Sequence, residues 1–132
     1  MYNNDYDYKF AEYGYEELKV FRIAFRSAME IYEKTTRFPR EEAYSLTDQV
    51  RRSSRSVCAN IAEAYRKSVY PKSFVLRIVD ADAECSETLV HLKFAHACKY
   101  LNSDDYERYV NAYAEIGRML KSMYAHPEKF KP

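Results

Sequence analysis

Residues that interrupt helices are rare in this chain, and their scarcity is the strongest constraint on its fold. The 132 residues include two glycines and four prolines. An all-β domain needs a turn about every 8–12 residues, and glycine and proline most often supply it. The same scarcity excludes a glycine-rich phosphate-binding loop, because Gly14 and Gly117 are far apart in the sequence. The composition therefore predicts long helices joined by short connections.

Four segments repeat apolar residues at spacings of three and four, which is the period of one face of an α-helix. Phe38-Pro39 ends the first segment, Pro71 suits the first turn of the third, and Ser103 is the predicted N-cap of the fourth. The stripe of the first segment is Leu18, Phe21, Phe25, Ala28 and Tyr32, and that of the second is Leu46, Val50, Ser54, Val57, Ile61, Ala64 and Tyr65. The predicted helices span residues 15–37, 42–67, 71–101 and 104–125.

Four long helices with short connections predict an all-α, up-and-down antiparallel four-helix bundle over residues 15–126. Residues 1–14 are acidic and rich in tyrosine, and we expect a tail that is either disordered or laid on the bundle. Residues 127–132 form a second, short tail. No stretch approaches the roughly 18 uninterrupted apolar residues of a membrane helix.

The predicted environment is the cytoplasm. The first residues lack the basic and then apolar pattern of a signal peptide. The three cysteines lack CxxC spacing, and an odd number without a secretion signal is typical of reduced thiols. We therefore expect a cytoplasmic protein that does not bind membranes.

The sequence contains no recognisable catalytic, cofactor or metal site. His91, His96 and His126 lack the spacing of zinc ligands, and the pair Glu84 and Glu87 lacks the histidine that a di-iron bundle requires. No nucleophile stands beside an evident base, and without glycines there is no easy turn for an oxyanion hole. We therefore expect a protein that is not an enzyme and that needs no cofactor.

Charge is distributed unevenly, although the net charge is +1. Residues 51–77 contain seven basic residues and one acid, Glu63, for a local charge of +6, which leaves −5 for the rest. Such a cluster can neutralise phosphates, the main source of non-specific affinity for nucleic acids. A solvated face or salt bridges between subunits is the alternative. The predicted contacts for RNA, DNA or an acidic protein are Arg51, Arg52, Arg55, Arg66 and Lys67.

A row of mostly short polar side chains lies beside the apolar stripe of the second helix. Short hydroxyls and amides let helices approach and hydrogen bond across a contact, whereas a solvated face more usually carries lysine and glutamate. We interpret the row as a helix–helix contact, within the bundle or between subunits, and a mildly polar surface is the alternative. The row consists of Gln49, Ser53, Ser56, Asn60 and Glu63.

The run FPREEAYSLTDQVRRSSRSVCANIAEAYRK, residues 38–67, resembles the signature of the bacterial 23S rRNA intervening-sequence proteins, also called four-helix-bundle proteins. Matching elements include Phe38-Pro39, Arg51-Arg52 and the Asn60-Ile61-Ala62-Glu63 run, and the likeness extends over about residues 15 to 125. Cys98-Lys99 departs from the Leu-Gly pair that is usual in this family.

This resemblance implies a fold and an assembly more than an activity. Members form ring-like homopentamers, and many are encoded inside insertions in ribosomal RNA genes. A related branch, the accessory variability determinant of diversity-generating retroelements, binds a reverse transcriptase and nucleic acid through a basic surface. We therefore expect an oligomeric interaction or scaffold protein whose partners are itself and RNA, DNA, an acidic protein or a reverse transcriptase. A purely structural homo-oligomer with arginines in intersubunit salt bridges is the alternative.

Overall fold

The computed structural model describes residues 8–130, and this part of the chain contains four α-helices and no strand. Residues 1–7 and 131–132 of the two predicted tails lie outside the described residues. The helices are α1 (Lys19–Thr35), α2 (Leu46–Arg66), α3 (Pro71–Ala97) and α4 (Ser103–Ala125). Each helix packs against the next, and α1 packs against α4, so the four close into a bundle. Short connections make successive helices antiparallel. The predicted all-α four-helix bundle is confirmed.

The chain before α1 lies against that helix. Gly14–Glu17 form a separate 3-10 turn, so α1 begins at Lys19, four residues later than the apolar pattern predicts. Phe10 packs edge-on against Phe21 and Phe25, with ring centroids 6.4 Å and 5.6 Å apart. Aromatic burial thus holds the described part of the N-terminal segment on the bundle.

The start of α2 is displaced in the same way. Arg40–Glu42 form a 3-10 turn, and α2 begins at Leu46 instead of residue 42. The Glu42 carboxylate accepts hydrogen bonds from the Ser45 hydroxyl at 2.6 Å and from the Leu46 backbone N–H at 3.3 Å. It also accepts one from the Tyr100 hydroxyl at 3.0 Å. Glu42 therefore satisfies one free backbone N–H at the start of α2 and ties that end of the helix to the connection after α3.

The connection between α3 and α4 contains a non-glycine residue in the left-handed region. Lys99 has a φ of 67°. This conformation lets the Tyr100 N–H donate to the Ala95 carbonyl at 2.8 Å and so closes the last turn of α3. Glycine adopts this conformation without strain, whereas a side chain with a Cβ does not.

Asn102 sets the start of α4. Its Oδ1 accepts a hydrogen bond from the Asp105 N–H at 2.7 Å, so the N-cap lies one residue before the predicted Ser103. The Ser103 hydroxyl instead lies 3.3 Å from His96 Nε2, near the end of α3. Asparagine and serine are comparably good N-caps, so sequence preference does not separate them.

The core is built from the inward faces of all four helices. On α2 most of the predicted stripe is buried, and Val50, Val57 and Ile61 are at most 1% exposed. Leu46 and Tyr65, at the ends of the stripe, are half-buried. Fully buried residues of the other helices include Ile31, Ile78, Leu92, Ile116 and Leu120. Burial of each large aliphatic side chain contributes roughly 1.5–3 kcal/mol, so this packing fixes the rotation of α2 about its axis. The opposite face of α2 consequently points to solvent.

Candidate partner-binding surface on α2

The outward face of α2 carries three of the predicted arginines side by side. They border an open groove of about 460 Å³, here called the basic groove. The basic groove is lined by Ala43, Asp48, Arg51, Arg52, Arg55, Ser56 and Ala59. Asp48 is the acid among its lining residues, so the groove is cationic overall.

Helix α1 orients Arg51 and Arg55 through an aromatic ring. The guanidinium carbons of these arginines lie 4.6 Å and 5.8 Å from the centre of the Tyr32 ring. Arg51 Nε also donates to Thr35 Oγ1 at 2.8 Å. Within residues 8–130, neither arginine forms an ion pair with a carboxylate. Their charges are positioned by the fold but not neutralised by it.

Arg52 is in a different electrostatic situation. Its guanidinium forms an ion pair with Glu87 of α3 and lies 3.9 Å from Glu84. Burial, and then the hydrogen bond and repulsion from Glu87, raise the pKa of Glu84. Arg52 therefore links α2 to α3 and offers less free charge to a ligand than its neighbours do.

Arg66 and Lys67 lie at the far end of α2. Lys67 Nζ is 3.1 Å from Glu63 Oε1, and Arg77 Nε of α3 is 3.3 Å from the same oxygen. The hydrogen bond from Lys67 lowers the pKa of Glu63. Arg66 is exposed, but it follows Arg55 by eleven residues, about 17 Å along the helix axis. The structure therefore separates this basic pair from the basic groove.

The predicted polar row divides between the interior and the surface. Ser53 is buried and accepts a hydrogen bond from the Thr88 hydroxyl of α3 at 2.8 Å, so it makes a contact inside the bundle. Asn60 is half-buried, and its Nδ2 donates to the Ser56 carbonyl of its own helix at 3.0 Å. Gln49 and Glu63 are exposed. The role of these surface members between subunits stays a prediction.

Tyr32 is the site residue that the sequence analysis misses. Its spacing places it in the apolar stripe of α1, yet its side chain is 36% exposed and packs under two arginines of α2. A cation–π contact joins positions far apart in the chain, so no local spacing signals it.

Two of the three cysteines, Cys58 and Cys85, are buried. Burial raises the pKa of the Cys58 and Cys85 thiols to about 12, which keeps both protonated near neutral pH. Over residues 8–130 no three His, Cys, Asp or Glu side chains are grouped so that they could hold a metal ion. None of the helices in that range has the length and apolar character needed to cross a bilayer.

Fold and surface together define an all-α four-helix-bundle protein with a cationic groove on its second helix. The chain belongs to the 23S rRNA-intervening sequence protein family, whose model matches residues 16–122. The resemblance seen in the sequence is thereby confirmed. The name of this family specifies no catalytic activity.

One solved structure that the chain resembles is a protein of unknown function from the S23 ribosomal protein family of Bacteroides thetaiotaomicron. The two chains are 24% identical, with a TM-score of 0.72, and the match covers 80% of this chain and 95% of that one. At this identity the likeness supports the fold. Among curated proteins no similar sequence is found.

Proposed function

We propose that this chain is a cytoplasmic, non-enzymatic interaction protein that self-associates and binds nucleic acid through the basic groove. The observation that carries the proposal is the state of Arg51 and Arg55, which stack on Tyr32 and form no ion pair within the described residues. Two ordered, uncompensated guanidinium groups one helical turn apart repel each other mildly. A polyanion that bridges them removes this repulsion.

Phosphate is the ligand group that suits this arrangement. A guanidinium group donates paired hydrogen bonds to phosphate oxygens, and successive phosphates along a strand can meet successive arginines. The groove is open and lies on the outside of the bundle, so a strand can reach it. Binding of this kind reads the backbone and not the base sequence.

A salt titration tests the proposal. Fluorescence anisotropy would follow a labelled duplex DNA and a labelled single-stranded RNA for wild type, for Arg51→Ala/Arg55→Ala, and for Arg118→Ala on α4 as a matched control. Each phosphate contact contributes about −0.9 to the log–log slope of affinity against salt on duplex DNA. We expect the double variant to bind more weakly with a shallower slope, and the control to match wild type.

The same titration has two contrary outcomes. Unchanged affinity and slope in the double variant would remove the basic groove as the site. Tighter binding of a poly-glutamate peptide than of either nucleic acid would show that an acidic protein is the partner instead.

A purely structural homo-oligomer is the second candidate, and the charge distribution favours it. A groove of about 380 Å³ along α4 and α1 is lined by acids, which include Glu30, Asp104, Glu107 and Glu115. Arginines of one copy could pair with these acids of a neighbour, in keeping with the ring of five that the family resemblance implies. Dissociation by salt, measured by sedimentation and without any binding of nucleic acid, would support this candidate over the first.

A further inference from the structure

The basic groove continues into a second groove of different chemistry. This second groove lies between α1 and α2, has a volume of about 410 Å³ and is here called the apolar groove. Arg55 and Ala59 line both grooves, so the two surfaces meet at these residues of α2. A ligand that fills both grooves must therefore change from anionic to apolar beside Arg55.

The lining of the apolar groove is that of a ligand site. Helix α1 contributes aromatic side chains, and α2 contributes small ones such as Ala59 and Ala62. Among the described residues that line the groove, Arg55 is the one that carries a charge. Ligand pockets have volumes of about 300–1,000 Å³, mostly apolar and aromatic linings, and a few polar groups that fix the orientation of the ligand.

The aromatic wall of the apolar groove is held in place by contacts between rings. Phe21 and Phe25 stack with their centroids 6.1 Å apart, and Tyr15 meets Phe21 edge-on at 5.0 Å. Phe10, from the segment before α1, packs edge-on against Phe25 at 5.6 Å. Because the protein already orders these rings, a ligand that packs against them does not have to order them on binding.

Arg55 sets the chemistry of the junction between the grooves. Its guanidinium carbon lies 5.8 Å from the centre of the Tyr32 ring. Within residues 8–130 it forms no ion pair with a carboxylate. The junction therefore offers an uncompensated, oriented cation directly beside an aromatic surface. The complementary ligand carries an anion and a flat apolar group close together.

We propose that the two grooves together bind single-stranded nucleic acid, with phosphates at Arg51 and Arg55 and one base in the apolar groove. A nucleotide joins a phosphate to an aromatic base through a single sugar, which matches the change of chemistry beside Arg55. A basic track combined with aromatic surfaces for bases is how proteins hold single strands without reading their sequence. This inference rests on the proposed function and adds to it the kind of nucleic acid that is bound.

A duplex does not suit the pair of grooves. Its bases are paired and stacked inside the double helix, and an outward turn of one base breaks both interactions. The bases of a single strand are free to turn outward and pack on aromatic side chains. A duplex can therefore use the basic groove alone, whereas a single strand can use both grooves.

Fluorescence anisotropy with three labelled ligands tests this inference: an oligouridylate, the same sugar–phosphate chain without bases, and a duplex of equal length. Ala62→Leu narrows the apolar groove and leaves both arginines in place. Ala83→Leu, at an exposed position of α3, is the matched control. Wild type and control should bind the oligouridylate about fivefold to a hundredfold more tightly than the chain without bases.

Ala62→Leu should bind the oligouridylate and the chain without bases with nearly equal affinity, because the base has lost its place. Its affinity for the duplex and the salt slope should match wild type, since the phosphate contacts remain. Circular dichroism checks that the variant folds. Met29→Ala, which removes apolar surface from the α1 side of the groove, provides a second variant for the same comparison.

The contrary outcomes separate this inference from the proposed function. Equal binding of the oligouridylate and the chain without bases by wild type would overturn the inference, and so would wild-type binding of all three ligands by Ala62→Leu. In both cases a loss of affinity in Arg51→Ala/Arg55→Ala would leave the proposed function standing. No binding of any of the three ligands by wild type would contradict the proposed function itself. Displacement of the oligouridylate by a lower concentration of a glutamate-rich peptide containing phenylalanine would show that an acidic protein fills both grooves instead.

Discussion

The guanidinium of Arg51 lies 4.6 Å from the centre of the Tyr32 ring, so a residue of α1 positions a charge of α2. Arg55, one turn further along, shares the same ring at 5.8 Å. This contact holds two cations at the edge of an open groove without neutralising them, and the proposed binding of phosphate depends on it.

The first prediction concerns the ring itself. Tyr32→Leu removes the cation–π contact but leaves both arginines in place. Because an exposed contact of this type is worth about 0.5–1 kcal/mol, nucleic-acid affinity should fall about twofold to fivefold while the salt slope stays unchanged. Tyr13→Leu, at another exposed tyrosine, should bind like wild type. A change of slope in Tyr32→Leu would mean that Tyr32 does more than orient the arginines.

A second prediction tests the buried contact between α2 and α3. Thr88→Val removes a hydroxyl that lies 2.8 Å from both the Ser53 hydroxyl and the Glu84 carbonyl, and it leaves a buried serine with one partner fewer. The free energy of unfolding, measured with urea, should fall by about 1 kcal/mol. Ser86→Ala, at an exposed position of the same helix, should stay within about 0.5 kcal/mol of wild type. Equal stability of the two variants would show that the buried Thr88 hydroxyl is not stabilising.

A third prediction follows from the left-handed backbone of Lys99. Lys99→Gly relieves the strain of a Cβ at φ 67° and should raise the free energy of unfolding by about 0.5–1 kcal/mol. Lys93→Gly inside α3 should instead lower it by about 1 kcal/mol, because glycine is unfavourable in a helix interior. Destabilisation by Lys99→Gly would show that the lysine side chain contributes more than its backbone strain costs.

The fourth prediction is a pH dependence. Burial raises the pKa of Glu30 above its ordinary value of 4.5, although Arg108 Nη2 lies 3.1 Å from its carboxylate and acts in the opposite direction. A carboxyl whose pKa is raised on folding binds more protons in the folded chain. The free energy of unfolding therefore falls as the pH rises from about 4.5, the ordinary pKa of the carboxyl, through its higher pKa in the folded chain.

Unfolding curves measured at several pH values test whether stability falls as the pH rises. Wild type should lose stability relative to Glu30→Gln as the pH rises through that window, because glutamine does not ionise. Glu33→Gln, one turn further along α1 and exposed, is the control. A constant difference between wild type and Glu30→Gln at every pH would show that folding does not raise the pKa of Glu30.

Much of the fold follows from the pattern of apolar residues. Spacing predicts that Val50, Val57 and Ile61 of α2 share one face, and the structure buries all three. The prediction succeeds because burial of the apolar face determines the orientation of a helix in a bundle. Helix starts are less predictable. The predicted helix begins at residue 42, but α2 begins at Leu46. The reason is that the Glu42 side chain accepts hydrogen bonds from Ser45 and from the Leu46 N–H and so caps the helix at that point.

The candidate surface is only partly visible in the sequence. The basic residues are evident, but their electrostatic partners come from distant positions: Tyr32 for Arg51, and Glu87 for Arg52. Exposed apolar residues are hidden for another reason. The buried residues Phe74, Ile78 and Leu92 of α3 recur at helical spacing, but that spacing does not show that an apolar residue outside the row, such as Val90, is left exposed.

The most direct test of the basic groove is an NMR titration of the ¹⁵N-labelled protein with a short single-stranded RNA. The account predicts that the Nε–Hε signals of Arg51 and Arg55 shift together with backbone signals along the outward face of α2, while those of Arg118 on α4 do not. Shifts centred on α3 or α4, with Arg51 and Arg55 unmoved at saturation, would contradict it.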